Sequence, residues 1–154
     1  MVRNETILSI EAFNSAAYKR WFEERPSVMI IRNIAALINK FVGNDSTLEL
    51  MRLKVNDSIF SENRRFHMIM QSDGNLVLYG PNGAVWNSAT MTGGSYAVMK
   101  ATGTLIVKSP SERVLWSSRT HVKGGAKFLL QNDGNFVIYS LGGTAIWSTK
   151  SKGR

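Results

Sequence analysis

Two nine-residue stretches carry the chemistry of this chain. Gln71-Ser72-Asp73-Gly74-Asn75-Leu76-Val77-Leu78-Tyr79 returns sixty positions later as Gln131-Asn132-Asp133-Gly134-Asn135-Phe136-Val137-Ile138-Tyr139. The odd members are identical in both copies, and the even ones vary apart from glycine. Alternate side chains of a β-strand point to opposite faces. The spacing therefore predicts that Gln71, Asp73, Asn75, Val77 and Tyr79 share one face, and likewise Gln131, Asp133, Asn135, Val137 and Tyr139. The opposite faces carry Leu76, Leu78, Phe136 and Ile138, which suit a core. The repeated face supplies two amides, a carboxylate, a small apolar patch and a phenol, so it both donates and accepts hydrogen bonds. That set matches a molecule with adjacent hydroxyls and an exposed C–H edge, which is a sugar. Water competes at such a site, and each hydrogen bond is worth a net ~1 kcal/mol. A single site is then expected near the millimolar range, about −4 kcal/mol, with avidity arising from repetition. The competing reading is a repeat fold with two equivalent solvent-facing strands, in which Asp-Gly marks a turn or the glycine a bulge. Retention of the polar face, while the apolar face varies, favours binding.

The elements that must position these residues show a period. Trp86, Trp116 and Trp147 lie 30 and 31 residues apart, each followed by Ser or Asn-Ser. Three units follow, over roughly 55–86, 88–116 and 119–147. Each has room for three or four short strands separated by Gly- or Pro-bearing turns, which predicts an all-β fold. The three tryptophans are expected to meet near a pseudo-threefold axis. The middle unit keeps the strand pattern in Lys100-Ala101-Thr102-Gly103-Thr104-Leu105-Ile106-Val107-Lys108 but loses the polar set. It is expected to fold without a sugar site.

Gln-x-Asp-x-Asn-x-Val-x-Tyr, recurring with Trp-x-Ser between copies, resembles the bulb-type (monocot) mannose-binding lectin domain, over about residues 50–149. The resemblance implies a β-prism II fold, with three four-stranded sheets around a pseudo-threefold axis. It also implies that Gln, Asp, Asn and Tyr of each nonamer hydrogen-bond an α-mannose ring while Val packs on its carbons. Lys100, Thr102, Thr104 and Lys108 depart from that pattern. So does the absence of cysteine, since plant members usually carry a disulfide. The resemblance extends to bacterial lectin-like bacteriocins, and a phage-associated member is a further expectation.

The chain has 154 residues and a net charge of +8. Residues 1–48 hold six Lys/Arg and five Asp/Glu, whereas residues 49–154 hold thirteen against six. A basic surface of this kind steers a protein towards anionic partners. No nucleic-acid motif accompanies it, so no specific nucleic-acid partner is expected. Residues 1–48 change period. Ile7, Ile10, Phe13, Asn14, Ala17, Tyr18 and Trp21 follow helical spacing, and Arg25-Pro26 would stop that helix. A second helix is expected from Ser27 to Val42, ended by Gly43. The domain expectation is therefore a two-helix extension over 1–48 and a β-prism over 49–154. The extension is too polar and too short to span a membrane and lacks the form of a signal peptide. The chain is thus expected to be made in a cytoplasm, then released or incorporated into a particle. The wide apolar set of the second helix predicts burial in a homo-oligomer or a larger assembly.

No catalytic constellation stands out. His67 and His121 lie in unrelated contexts, and Asp73 and Asp133 are one acid per nonamer, whereas a glycosidase needs two carboxylates around one sugar. The chain is read as a non-enzyme, with no cofactor and no metal site. The leading expectation is a lectin for mannose-containing glycans with two sites. A structural component of a larger particle and a lectin-like antibacterial toxin remain as alternatives.

Overall fold

The computed structural model describes residues 49–122 and 125–154. The two expected helices of residues 1–48 lie outside the described residues. Within them the chain is all β, in eleven strands and three antiparallel sheets. The first sheet is a meander of β2 (Ser58–Phe60), β3 (His67–Met70), β4 (Leu76–Gly80) and β5 (Gly83–Asn87). The second joins β1 (Glu49–Leu53) to β6 (Tyr96–Lys100), β7 (Leu105–Lys108) and β8 (Val114–Ser117), in the order β1-β6-β7-β8. The third holds β9 (Ala126–Leu130), β10 (Phe136–Ser140) and β11 (Ala145–Ser148). Each of the three 30-residue units supplies the inner strands of one sheet. The expectation of three four-stranded sheets is met in two of them, and the third has three strands among the described residues. β1 precedes all three units yet completes the middle sheet, a crossover that the repeat period alone does not reveal.

Strand alternation divides the faces. Met68, Met70, Leu76 and Leu78 of the first sheet are 0% exposed, as are Met99, Leu105 and Val107 of the second and Phe136 and Ile138 of the third. These side chains meet in one core. Burying each large one stabilises the fold by roughly 1.5–3 kcal/mol. The register shifts at the same place in every unit: between Leu78 and Tyr79, Val107 and Lys108, and Ile138 and Tyr139. A bulge of this kind re-aims the side chain beside it, and the residue it re-aims is the ninth member of each nonamer. The three tryptophans meet as expected. Trp86 and Trp116 are 5.3 Å apart between ring centroids, Trp116 and Trp147 5.7 Å, and Trp86 and Trp147 6.1 Å, all edge to face.

Candidate functional site

The nonamer is a hairpin tip followed by a strand, not one continuous strand. Only Leu76–Gly80 and Phe136–Ser140 are extended. The Gln71 N–H donates to the Asn75 carbonyl (2.9 Å) and the Gly74 N–H to the Gln71 carbonyl (3.0 Å), and residues 131–135 repeat both bonds. Gln and Asn thus face each other across the mouth of a hairpin, with Asp at its tip. The expectation that alternation along a single strand aligns all five side chains is corrected: the turn brings the first three together, and the strand adds Val and Tyr. The face is nevertheless shared. Ile69 pairs with Val77 and His67 with Tyr79, continuing the Gln71–Asn75 ladder. Val77 and Val137 form the floor, each 3% exposed.

Glycine is obligatory at the tip. Gly74 and Gly134 have φ of +93° and +91°, a region that L side chains rarely adopt. A Cβ on Gly74 would lie 2.2 Å from the Thr92 carbonyl oxygen, and one on Gly134 2.6 Å from the Phe66 ring.

The polar groups form a directed chain. Tyr79 Oη donates to Gln71 Oε1. Gln71 Nε2 donates to both oxygens of Asp73, at 3.2 and 3.1 Å. Asp73 Oδ1 also accepts the Asn75 N–H at 2.9 Å. That backbone bond, then the Gln71 amide, holds the Asp73 carboxyl below its ordinary value of 3.8. The second copy repeats the arrangement. With its amide oriented as in Gln71, Gln131 donates to Asp133 Oδ1 and Oδ2 at 3.1 and 3.3 Å and accepts from Tyr139. Asp133 accepts the Asn135 N–H at 2.9 Å.

The asparagines are anchored from behind by residues that the sequence reading did not assign. Ser88 Oγ donates to Asn75 Oδ1 (3.2 Å), and Thr149 Oγ1 donates to Asn135 Oδ1 (3.2 Å). Thr90 and Ser151 then cap the Gly74 and Gly134 carbonyls at 2.6 and 2.7 Å. The asparagine oxygen is consumed internally, so its NH2 is the group offered to a ligand. The signal was visible in Trp86-Asn87-Ser88-Ala89-Thr90 and Trp147-Ser148-Thr149-Lys150-Ser151, where hydroxyls recur two and four positions after tryptophan.

In the middle unit the same face is occupied by its own contacts. Tyr96 donates to Glu112, Lys108 Nζ lies 3.7 Å from that carboxylate, and the Arg52 guanidinium sits 4.4 Å over the Tyr96 ring. The Tyr96 hydroxyl, then the Lys108 charge, hold the Glu112 carboxyl below the usual range. Thr104 bonds the Thr120 carbonyl, and Thr102 is 5% exposed. Lys100, Thr102, Thr104 and Lys108 thus form no counterpart of the Gln–Asp–Tyr chain.

The two complete copies lie on different sheets, so Asp73 and Asp133 belong to separate clefts. His67 is stacked between Phe60 and Tyr79, at 5.4 and 5.2 Å. His121 is exposed in the loop after β8.

No family model matches the chain. Mannose-specific lectin 2 of Colocasia esculenta is 41% identical over 92 residues, covering 58% of this chain. The chain spans about a third of that protein's length, 34%. The mannose-specific lectin of Aloe arborescens is 37% identical over 90 residues, which cover 54% of this chain and 78% of that protein. Among solved structures, a monomeric monocot mannose-binding lectin from Gastrodia elata superposes with a TM-score of 0.60 at 35% identity, over 66% of this chain and 93% of that one. This likeness identifies the three-sheet fold as β-prism II. These relatives are plant proteins and lend no support to a bacteriocin or phage affiliation.

Proposed function

This chain belongs to the monocot mannose-binding (bulb-type) lectin family, and from that premise we propose that it is a carbohydrate-binding protein with two mannose-type sites. One site is Gln71, Asp73, Asn75, Val77 and Tyr79, and the other is Gln131, Asp133, Asn135, Val137 and Tyr139. The single observation that carries the reading is the duplicated Tyr→Gln→Asp hydrogen-bond chain, present in two units and replaced in the third. In such a chain the carboxylate keeps lone pairs for a sugar hydroxyl. The asparagine NH2 donates to a neighbouring hydroxyl, and the valine floor meets ring carbons. The middle unit takes no sugar in this reading. The division into an N-terminal extension over 1–48 and a binding unit over 49–154, and assembly through that extension, are part of the same proposal.

The test is titration of the full chain with methyl α-mannoside, followed by calorimetry or NMR. Weak saturable binding at two sites is expected, near the millimolar range or about −4 kcal/mol each. Asp73→Asn with Asp133→Asn is expected to abolish it while the tryptophan near-UV signal is unchanged. Retained binding in the double variant would remove the proposal.

A further inference from the structure

The two clefts share their floor and their hydrogen-bond chain but not their rims. Three structurally equivalent loops follow the tryptophans, each pinned by a hydroxyl to the glycine carbonyl of a nonamer: Thr90 to Gly74, Thr120 to Gly103, and Ser151 to Gly134. The residue after that hydroxyl therefore occupies one equivalent rim position in every unit. Beside the first cleft it is Met91, 87% exposed and uncharged. Beside the cleft of residues 131–139 it is Lys152, also exposed. Gly153 then donates its N–H to the Asp133 carbonyl at 2.8 Å, which holds Lys152 and Arg154 against the tip of that hairpin.

A loop from another sheet packs against the same hairpin tip. The Asn63 N–H donates to Asn132 Oδ1 at 2.8 Å and Asn63 Nδ2 to the Asn132 carbonyl at 3.3 Å, which lock the β2–β3 loop onto the residue between Gln131 and Asp133. That loop carries Arg64 and Arg65. Arg64 turns away, its guanidinium 4.9 Å over the Phe60 ring. Arg65 is exposed two positions from the clamp. The acid of this loop, Glu62, accepts from Asn132 Nδ2 at 3.4 Å. Exposed cations from two separate segments thus gather at the tip of the 131–139 hairpin. The corresponding rim of the first cleft is Met91-Thr92-Gly93-Gly94, with no charge.

We propose that the 131–139 cleft selects a mannose-type residue that bears an anionic ester group, phosphate or sulfate, with Arg65 and Lys152 as its specificity-determining residues. The first cleft takes the neutral sugar. This inference rests on the sugar-binding reading above. Exposed charges act over about a Debye length, ~10 Å at 0.1 M salt, so the cations reach a group carried on the sugar without touching its ring. Each such contact is modest, and two together give a preference rather than an absolute requirement.

The test uses the full chain carrying Asp73→Asn, so that the 131–139 cleft alone reports. Methyl α-mannoside, mannose 6-phosphate and mannose 6-sulfate are titrated at low and high salt. At low salt the phosphate is expected to bind about three- to tenfold tighter than the neutral sugar, with the singly charged sulfate in between. The preference is expected to vanish at high salt and in Arg65→Gln plus Lys152→Gln, while affinity for the neutral mannoside stays the same. Equal affinity for the three ligands, or a preference that survives the double substitution, would overturn the inference and leave the sugar reading standing. Failure of the unsubstituted chain to bind any of the three would remove the sugar reading and this inference together.

Discussion

Asp73 accepts one backbone and two side-chain hydrogen bonds in its ionised form, which makes it a fastener of its own turn. Its lowered pKa sets the pH dependence. A carboxyl depressed on folding contributes stability that is present above the unfolded value and is lost as pH falls through the folded one. The acid loss of mannoside affinity at the first cleft is therefore expected to have its midpoint below the ordinary carboxylate value of 3.8. A titration on Asp133→Asn, which isolates that cleft, checks this. A midpoint above the ordinary value would show that the Gln71 and Asn75 donors do not stabilise the anion. At this scale the five side-chain types of each site were legible in the sequence, because identity at alternate positions of two distant segments is hard to explain by packing. The anchoring role of Ser88 and Thr149 was not, since a hydroxyl after tryptophan reads equally well as a strand end.

The hairpin tip is the element on which each cleft depends. Its glycine must adopt positive φ, and at Gly74 a Cβ would collide with backbone, which cannot move aside as a flexible side chain can. Gly74→Ala is expected to destabilise the protein by about 2–3 kcal/mol or more, combining backbone strain with displacement of the Thr92 segment. It should also weaken mannoside binding at the first cleft far more than at the second. Urea unfolding and site-resolved NMR titration measure both effects. The strand expectation failed here for a definite reason. Period-2 spacing in a sequence is the same for a straight strand and for residues on either side of a two-stranded turn, and only the Gln71–Asn75 pairing distinguishes them.

At the scale of the whole molecule, the three sheets share one core and one tryptophan cluster, so their stabilities are coupled. Trp116 belongs to the unit without a proposed sugar site, yet it touches the tryptophans of both other units. Trp116→Ala is expected to cost about 3 kcal/mol, the low end for a large aromatic because these rings are only partly buried. The melting temperature should fall by roughly 10 °C. Far-UV and near-UV melts should still coincide. Separate transitions for the three sheets would show that they are independent units. The middle unit, though without the polar set, still supplies one third of the tryptophan cluster.

The sequence by itself determined the all-β class, the three units, the tryptophan meeting point and the two sets of five side chains. Each of these follows from local periodicity or from identity between repeats. Only the tertiary structure decided what lies beside each cleft. β1 crosses to the middle sheet, the β2–β3 loop clamps the Asn132 turn, and Gly153 returns to Asp133. These contacts join residues on different sheets or far apart in the chain, and no repeat period encodes them. The physical reason is that a strand's faces are set by alternation along the chain, whereas a rim is built by whichever loop the packing of three sheets brings alongside.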